Sequence, residues 1–179
     1  KKIFKPSKVG HAGTLDQEAR GLMVVAIGKA SRLLQYAEAA SKVYEFTFHV
    51  GRETVSAEYF HEEIIQEDLT QRFTQNQITE VLSKFRGRIQ QKPPRYSAVK
   101  IDGKRASERA RAGEDIELKT REVEIYSLEV LDSQVAMESV QVNADASDIH
   151  KLQSLRLRCH CSKGTYIRSL CVDIAREIG

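Results

Sequence analysis

Apolar and polar positions alternate most clearly in KVYEFTFHVG, where Tyr44, Phe46, Phe48 and Val50 share one face and Val43, Glu45, Thr47 and His49 share the other. A period of two with one aromatic face predicts a half-buried strand. Before it, LMVVAIG (Leu22 to Gly28) is a short unbroken apolar run ended by glycine, the pattern of a buried strand. ASRLLQYAEAA then places Leu33, Leu34 and Ala37 at helical spacing, so a helix follows. Further along, T-x-x-Q at Thr74 to Gln77 stands ahead of Ile78, Val81, Leu82 and Phe85, which predicts a capped amphipathic helix.

The pattern then loosens. QKPPRYSAVKIDGKRASERARAGEDIELKTR carries a rigid double proline, a D-G turn at Asp102 and Gly103, and a short basic helical stretch closed by Gly113, the signature of an excursion from the core. TREVEIYSLEVLDS and SLRLRCHC alternate as strands, and the polar segment 137–153 between them reads as an exposed hairpin. GTYIRSLCVDIAREIG turns at glycine into a helix with Ile167, Leu170, Ile174 and Ala175 on one face. Strands and helices without regular alternation predict an α+β fold on a mixed, largely antiparallel sheet.

A chain of 179 residues supports one sizeable core, so a single domain, 1–179, is expected, with 92–120 as an insertion within it. No apolar run approaches the roughly 20 residues of a membrane span, and KKIFKPSKVG has no secretory pattern, so a cytoplasmic protein with no membrane partner is expected. Cys159, Cys161 and Cys171 match neither a disulfide framework nor a usual zinc spacing and read as buried or half-buried thiols.

The net charge of +3 conceals a strong asymmetry. Ten basic residues against Asp102 and Glu108 lie between Lys84 and Arg111, while Glu53 to Asp68 holds six acids and no lysine or arginine. Phe85, Pro93, Pro94 and Tyr96 interleave the basic run, which points toward a phosphate backbone as partner.

Three separated residues stand out chemically: Asp16 in the glycine-rich KVGHAGTLDQEARG, Tyr44 on its strand, and Arg168 at a helix start. Taken singly each has an ordinary reading, as a turn residue, a core aromatic and a surface helix residue. No P-loop, dinucleotide fingerprint, H-E-x-x-H or nucleophile elbow is present.

Four segments together change the weights. HAGTLDQEARGLM resembles the G-H-x-G-T-L-D-P motif of the TruB family of pseudouridine synthases, through Gly10, His11, Gly13, Thr14, Leu15, Asp16, Ala19, Gly21 and Leu22. SKVYEFTFHVG resembles the family's K-x-Y strand, KPPRYSAVKIDGKRASERARAG its P-P-x-Y-S-A-x-K segment, and CSKGTYIRSLCVDI its G-T-Y-I-R-S-L segment, all in family order.

The resemblance implies a pseudouridine synthase fold with a thumb-like insertion, and an isomerase that flips uridine 55 of the tRNA T loop and converts it to pseudouridine. It implies no cofactor and no metal. Asp16 is the essential carboxylate, Tyr44 the aromatic stacking on the base, and Arg168 the partner of Asp16. His11 fills the place of the extruded base, with Gly13 and Thr14 beside it. Tyr96 and Leu170 wall the base pocket. Lys100 and the thumb residues Lys104, Arg105, Arg109 and Arg111 contact RNA. The partner implied is the T-arm of tRNA, bound by a monomer. The nearest alternatives are a dyskerin-like, RNA-guided synthase and a non-catalytic tRNA chaperone.

The sequence departs from the family pattern at several points. Gln17 replaces the usual proline, Ser107 stands where an aromatic is common, and GRETVSAEYF keeps Thr54 while Ser56 and Glu58 replace the usual threonine and aspartate. An earlier K-P-x-G-x-T-S strand and a late C-terminal RNA-binding part are missing, so a partial chain is expected.

Overall fold

A computed structural model describes residues 3, 8–16, 19–58, 64–67, 73–132, 136–141 and 149–179. Gln17 lies outside them. The chain divides into two compact units, Lys1–Lys42 and Val43–Gly179.

In the first unit β1 (Val9–Ala12) pairs antiparallel with β2 (Val24–Ile27), His11 opposite Val25. A 3-10 turn, Gly28–Leu33, runs into α1 (Leu34–Ala39). The strand and helix expected here both form, but the run expected to be a buried strand is not buried. Val24, Val25 and Ile27 are exposed, because the ladder is only two strands wide and the short α1 and the turn before it leave much of its faces uncovered. Gly10 faces α1 closely: a Cβ there would stand 2.8 Å from Leu34 Cδ1, so the leucine side chain would have to turn aside. The end of α1 is closed by Lys42, whose Nζ donates to the carbonyls of Ala37, Glu38 and Ala40 at 3.2, 2.6 and 2.6 Å. A cation on the last helical carbonyls is the electrostatically favoured cap.

The second unit begins along β3 (Lys42–Val50), followed by the small ladder β4 (Arg52–Thr54) and β5 (Ile64–Glu67). Helix α2 (Gln75–Lys84) starts at the expected capping box: Thr74 Oγ1 accepts from Gln77 N, and Gln77 Oε1 accepts from Thr74 N at 2.9 Å. After β6 (Gly87–Gln91), the expected D-G turn joins β7 (Lys100–Ile101) to β8 (Lys104–Arg105), with Asp102 and Gly103 both at positive φ. The basic helix α3 (Ala106–Arg111) follows and closes at Gly113, φ +73°.

Three further strands, β9 (Arg121–Val130), β10 (Ala136–Gln141) and β11 (Ile149–Cys161), precede α4 (Ile167–Ile178). The main sheet runs β10-β11-β9-β6, each of these pairings antiparallel, and β3 also pairs with β11. The α+β architecture and the mostly antiparallel sheet flanked by helices are as the sequence predicts. The polar segment expected as an exposed hairpin supplies β10 and the start of β11; residues 142–148 fall outside the described set.

The main core lies between sheet and helices: Phe48 and Val50 of β3, Ile125 and Leu128 of β9, Leu155, Leu157, Cys159 and Cys161 of β11, Ile78 and Leu82 of α2, Leu170 and Ile174 of α4. At the rim, Lys84 of α2 pairs with Glu177 of α4 at 2.6 Å. A second, smaller cluster of Ala106, Ala110, Ile116 and Leu118, with Tyr96, Val99 and Ile101 against it, sits within the 92–120 segment. The three cysteines are thiols, with no disulfide between them. A hydrogen bond with Cys161, reinforced by burial, raises the Cys159 thiol, and burial pushes Cys171 up to about 12.

Two outcomes follow for stability. Leu82→Ala, which empties a fully buried site, is expected to cost about 2–5 kcal/mol, and Thr74→Ala, which removes only the cap, about 1 kcal/mol, both read from urea midpoints. Cys171 has a folded-state pKa raised above its ordinary 9.0, so its contribution is intact below that value and lost as pH climbs toward about 12. The urea midpoint is expected to fall less steeply between about pH 8 and 10.5 in Cys171→Ala than in the wild type, a window opening near the ordinary thiol pKa.

Candidate active site

Arg168 is the second residue of α4, two after the N-cap Tyr166, and the turn before the helix is tightly built. Ser162 N donates to the Glu124 carbonyl at 2.8 Å and Ser162 Oγ accepts from Glu124 N at 2.9 Å, anchoring the turn to β9. Thr165 Oγ1 then donates to the Ser162 carbonyl at 2.9 Å across Gly164, whose φ of +80° suits glycine. S-K-G-T is therefore a braced corner that delivers Tyr166, Ile167 and Arg168.

The Arg168 side chain keeps only 13% of its surface exposed. Nη1 donates to the Ser56 carbonyl at 3.2 Å and lies 3.3 Å from Glu58 Oε1, while Nη2 donates to the Tyr96 carbonyl at 3.0 Å. Two segments distant from α4 in sequence, the 54–58 turn and the Tyr96 loop, thus converge on one guanidinium. The 54–58 turn is preset for it: Thr54 Oγ1 donates to the Glu58 carbonyl at 2.7 Å, Glu58 N donates to Ser56 Oγ at 3.2 Å, and Ala57 takes a positive φ of 57°. The Tyr96 loop is preset by Ser107 N, which donates to the Ser97 carbonyl at 3.1 Å, and by Ala106 N, which donates to the Val99 carbonyl at 2.7 Å. Tyr96 is half-buried against the small apolar cluster.

Tyr44 lies on β3 on the same face as Phe46 and Phe48; it is 37% exposed while Phe48 is buried. Leu170, expected on the wall of the base pocket, is fully buried in the main core.

The first unit holds the other expected residues. His11 is on β1, and its Nδ1 donates to the Gly13 carbonyl. Gly13 has φ +86° and opens the loop through Thr14 to Asp16, whose own carbonyl accepts from Ala19 N at 3.0 Å. The aspartate therefore occupies a turn immediately after a short hairpin strand.

The basic residues of the 92–120 segment divide into two kinds. Lys100, Lys104, Arg105 and Arg111 are exposed on β7, β8 and α3. Arg109 is more enclosed and bridges Glu114 at 3.2 Å and Asp102 at 3.7 Å, while Arg95 Nη2 donates to the Glu114 carbonyl at 3.1 Å. Among the described residues no group of three or more His, Cys, Asp or Glu side chains is arranged to hold a metal ion, and no helix is long and apolar enough to cross a membrane.

Two contributors carry no role in the sequence reading. Glu58 is visible only as the acid closing T-x-S-x-E, and nothing in the sequence pairs it with Arg168. Gln91, 2% exposed, brackets the Tyr166 backbone and has no sequence signal beyond preceding the double proline.

Residues 1–167 match the family described as TruB family pseudouridylate synthase (N terminal domain). Among curated proteins the chain is similar to tRNA pseudouridine synthase B of Lactococcus lactis subsp. lactis, 40% identical over 99% of this chain and 51% of that protein. The corresponding protein of Oceanobacillus iheyensis is 38% identical over 100% of this chain and 54% of its own length. The chain thus spans about half the length of the curated relatives it matches. Among solved structures it is similar to a Cbf5-Nop10-Gar1 complex, with TM-score 0.65 and 26% identity over 99% of this chain and 38% of that one. A structure of an H/ACA RNP bound to a substrate RNA shares the fold, with TM-score 0.61 and 23% identity over 99% of this chain and 36% of that one. With one family matched over almost its whole length, and the Asp16, Tyr44, Tyr96 and Arg168 segments in the family's order, the chain belongs to the TruB family.

Proposed function

We propose that this chain carries the catalytic part of a tRNA pseudouridine synthase that isomerises uridine 55 in the T loop. The observation that carries the reading is the family match, which runs from the Asp16 turn through Tyr44 and Tyr96 to residue 167, next to Arg168. The 40% identity to a bacterial tRNA pseudouridine synthase B, against 26% to the Cbf5 chain, favours the stand-alone enzyme over an RNA-guided one.

The reaction is redox-neutral. The C1′–N1 bond of the uridine breaks, the uracil turns, C5 bonds to C1′, the C5 proton leaves and N1 gains one. An ionised Asp16 serves by attacking the base or the sugar, or by taking the ribose C2′ proton. Arg168 partners that carboxylate and holds its direction through a charge-assisted bond. Tyr44 stacks on the extruded base and takes the C5 proton directly or through water. His11 fills the gap left in the loop, because a base inside a folded RNA is reached only by extrusion. Tyr96 walls the pocket, with Gly13 and Thr14 along the loop that presents Asp16, and Leu170 backs the pocket from the core. Lys100, Lys104, Arg105 and Arg111 track the T-arm phosphates, and Arg109 braces the same segment through Asp102 and Glu114. The enzyme acts as a cytoplasmic monomer.

Tritium release from a tRNA transcript labelled at uridine C5 tests the reading in the full-length protein. Asp16→Asn is expected to lower release by at least about 10³-fold with tRNA binding retained, and a transcript with cytidine at the T-loop target is expected to release nothing. Release that survives Asp16→Asn overturns the assignment; binding without release in the wild type points to the chaperone reading. Arg168→Lys is expected to lose about 10²-fold, because an ammonium cannot reproduce the planar set of donors reaching Ser56, Tyr96 and Glu58. Replacing Lys100, Lys104, Arg105 and Arg111 together by alanine is expected to flatten the plot of log affinity against log salt. The slope should fall by about 0.7–0.9 for every phosphate those side chains neutralise, measured by filter binding at several salt concentrations.

A further inference from the structure

We infer that Gln91 is a positioning residue for Arg168, acting as an external cap that fixes where α4 begins; the inference rests on the proposed role of Arg168. Helix α4 has none of the ordinary devices at its N-terminus. Its N-cap is Tyr166, which makes no side-chain cap bond, and its first turn contains no acid. Gln91, the last residue of β6, supplies what is missing. Its Oε1 accepts from Tyr166 N at 2.8 Å and its Nε2 donates to the Tyr166 carbonyl at 3.1 Å. The next residue continues the seam, as Ser169 Oγ donates to the Lys92 carbonyl at 2.7 Å.

The glutamine amide, unlike an ionised carboxylate, offers one acceptor and one donor side by side at this reach, which is what a backbone N–H and C=O of one residue require. Gln91 therefore pairs with Tyr166 as a neighbouring strand would. Its 2% exposure leaves no solvent to replace either bond. Arg168 lies two residues beyond Tyr166, and its guanidinium meets oxygens from the 54–58 turn and the Tyr96 loop. Those oxygens are set by their own segments, so the origin of α4 decides whether the guanidinium reaches all of them. A displacement near 1 Å at such a site is worth about 10²-fold in rate.

The test uses tritium release by the full-length protein. Gln91→Met is expected to lower kcat about 10- to 100-fold while KM for tRNA changes by less than about twofold. In an Arg168→Lys background the same change is expected to cost little more, because the two residues act as one unit. Gln91→Glu guards against simple loss of fold. Its ionised form keeps the acceptor but sets a charge against the Tyr166 carbonyl, whereas its protonated form restores donor and acceptor. Its rate relative to wild type is therefore expected to rise as pH falls through a carboxyl pKa raised by burial. Equal fold-losses from Gln91→Met with and without Arg168→Lys, or a Gln91→Glu rate ratio flat with pH, would overturn the inference. Should the wild type itself release no tritium, the functional reading fails. The capping role is then decided by amide exchange: unchanged protection of the Tyr166 and Leu170 N–H groups in Gln91→Met overturns it, and diminished protection upholds it.

Discussion

A guanidinium cannot shed its charge, so wherever one is withdrawn from water the fold has to bring oxygen to it. That requirement at Arg168 organises much of the second unit. The partners of Arg168 include two backbone carbonyls and one carboxylate, each from a segment held by bonds of its own. The carbonyls satisfy N–H groups without cancelling charge. Glu58 brings a negative charge to the guanidinium, so the 54–58 turn is tied to α4 electrostatically.

Period and turn chemistry were legible because they depend on neighbouring residues. The alternation in 42–50, the Thr74 capping box, the Asp102–Gly103 turn and the apolar face of α4 all appear where the local pattern puts them. The run Leu22 to Gly28 shows the limit. An apolar run reports what a strand would tolerate on its faces, whereas coverage is set by neighbours in space, and the two-stranded ladder of β1 and β2 has only the short α1 and the turn before it packed against it among the described residues. Among the candidate site residues, Asp16 and Arg168 were legible through motif. Glu58 and Gln91 were not, because their partners lie 110 and 75 residues away in sequence for reasons of topology alone.

The basic segment shows how charge and packing divide one stretch of chain. A run of arginines and lysines reads uniformly as a surface for phosphate, yet a short insertion must also hold its own shape. Ala106, Ala110, Ile116 and Leu118 form a cluster too small to do that alone. Arg109 makes up part of the difference by tying Asp102 of the hairpin to Glu114 beyond α3. One arginine is thereby committed to internal bonds so that the exposed cations around it are presented on a defined frame.

The choice of a glutamine to start α4 follows from the same electrostatics. Helix N-termini ordinarily attract Asp or Glu, since a carboxylate satisfies orphan N–H groups and meets the positive end of the dipole. In the first turn of α4 such a carboxylate would lie within a residue or two of Arg168. It would compete with Glu58 for the guanidinium and draw the side chain back along its own helix. A serine or asparagine cap at 166 would avoid the charge but displace the tyrosine. Moving the cap off the helix, onto β6, resolves the conflict: Gln91 gives Tyr166 its two hydrogen bonds while adding no charge. The absence of acids in that first turn and the presence of a buried amide opposite it are thus one arrangement. It leaves the cation's direction to be set by the turn and loop that face it.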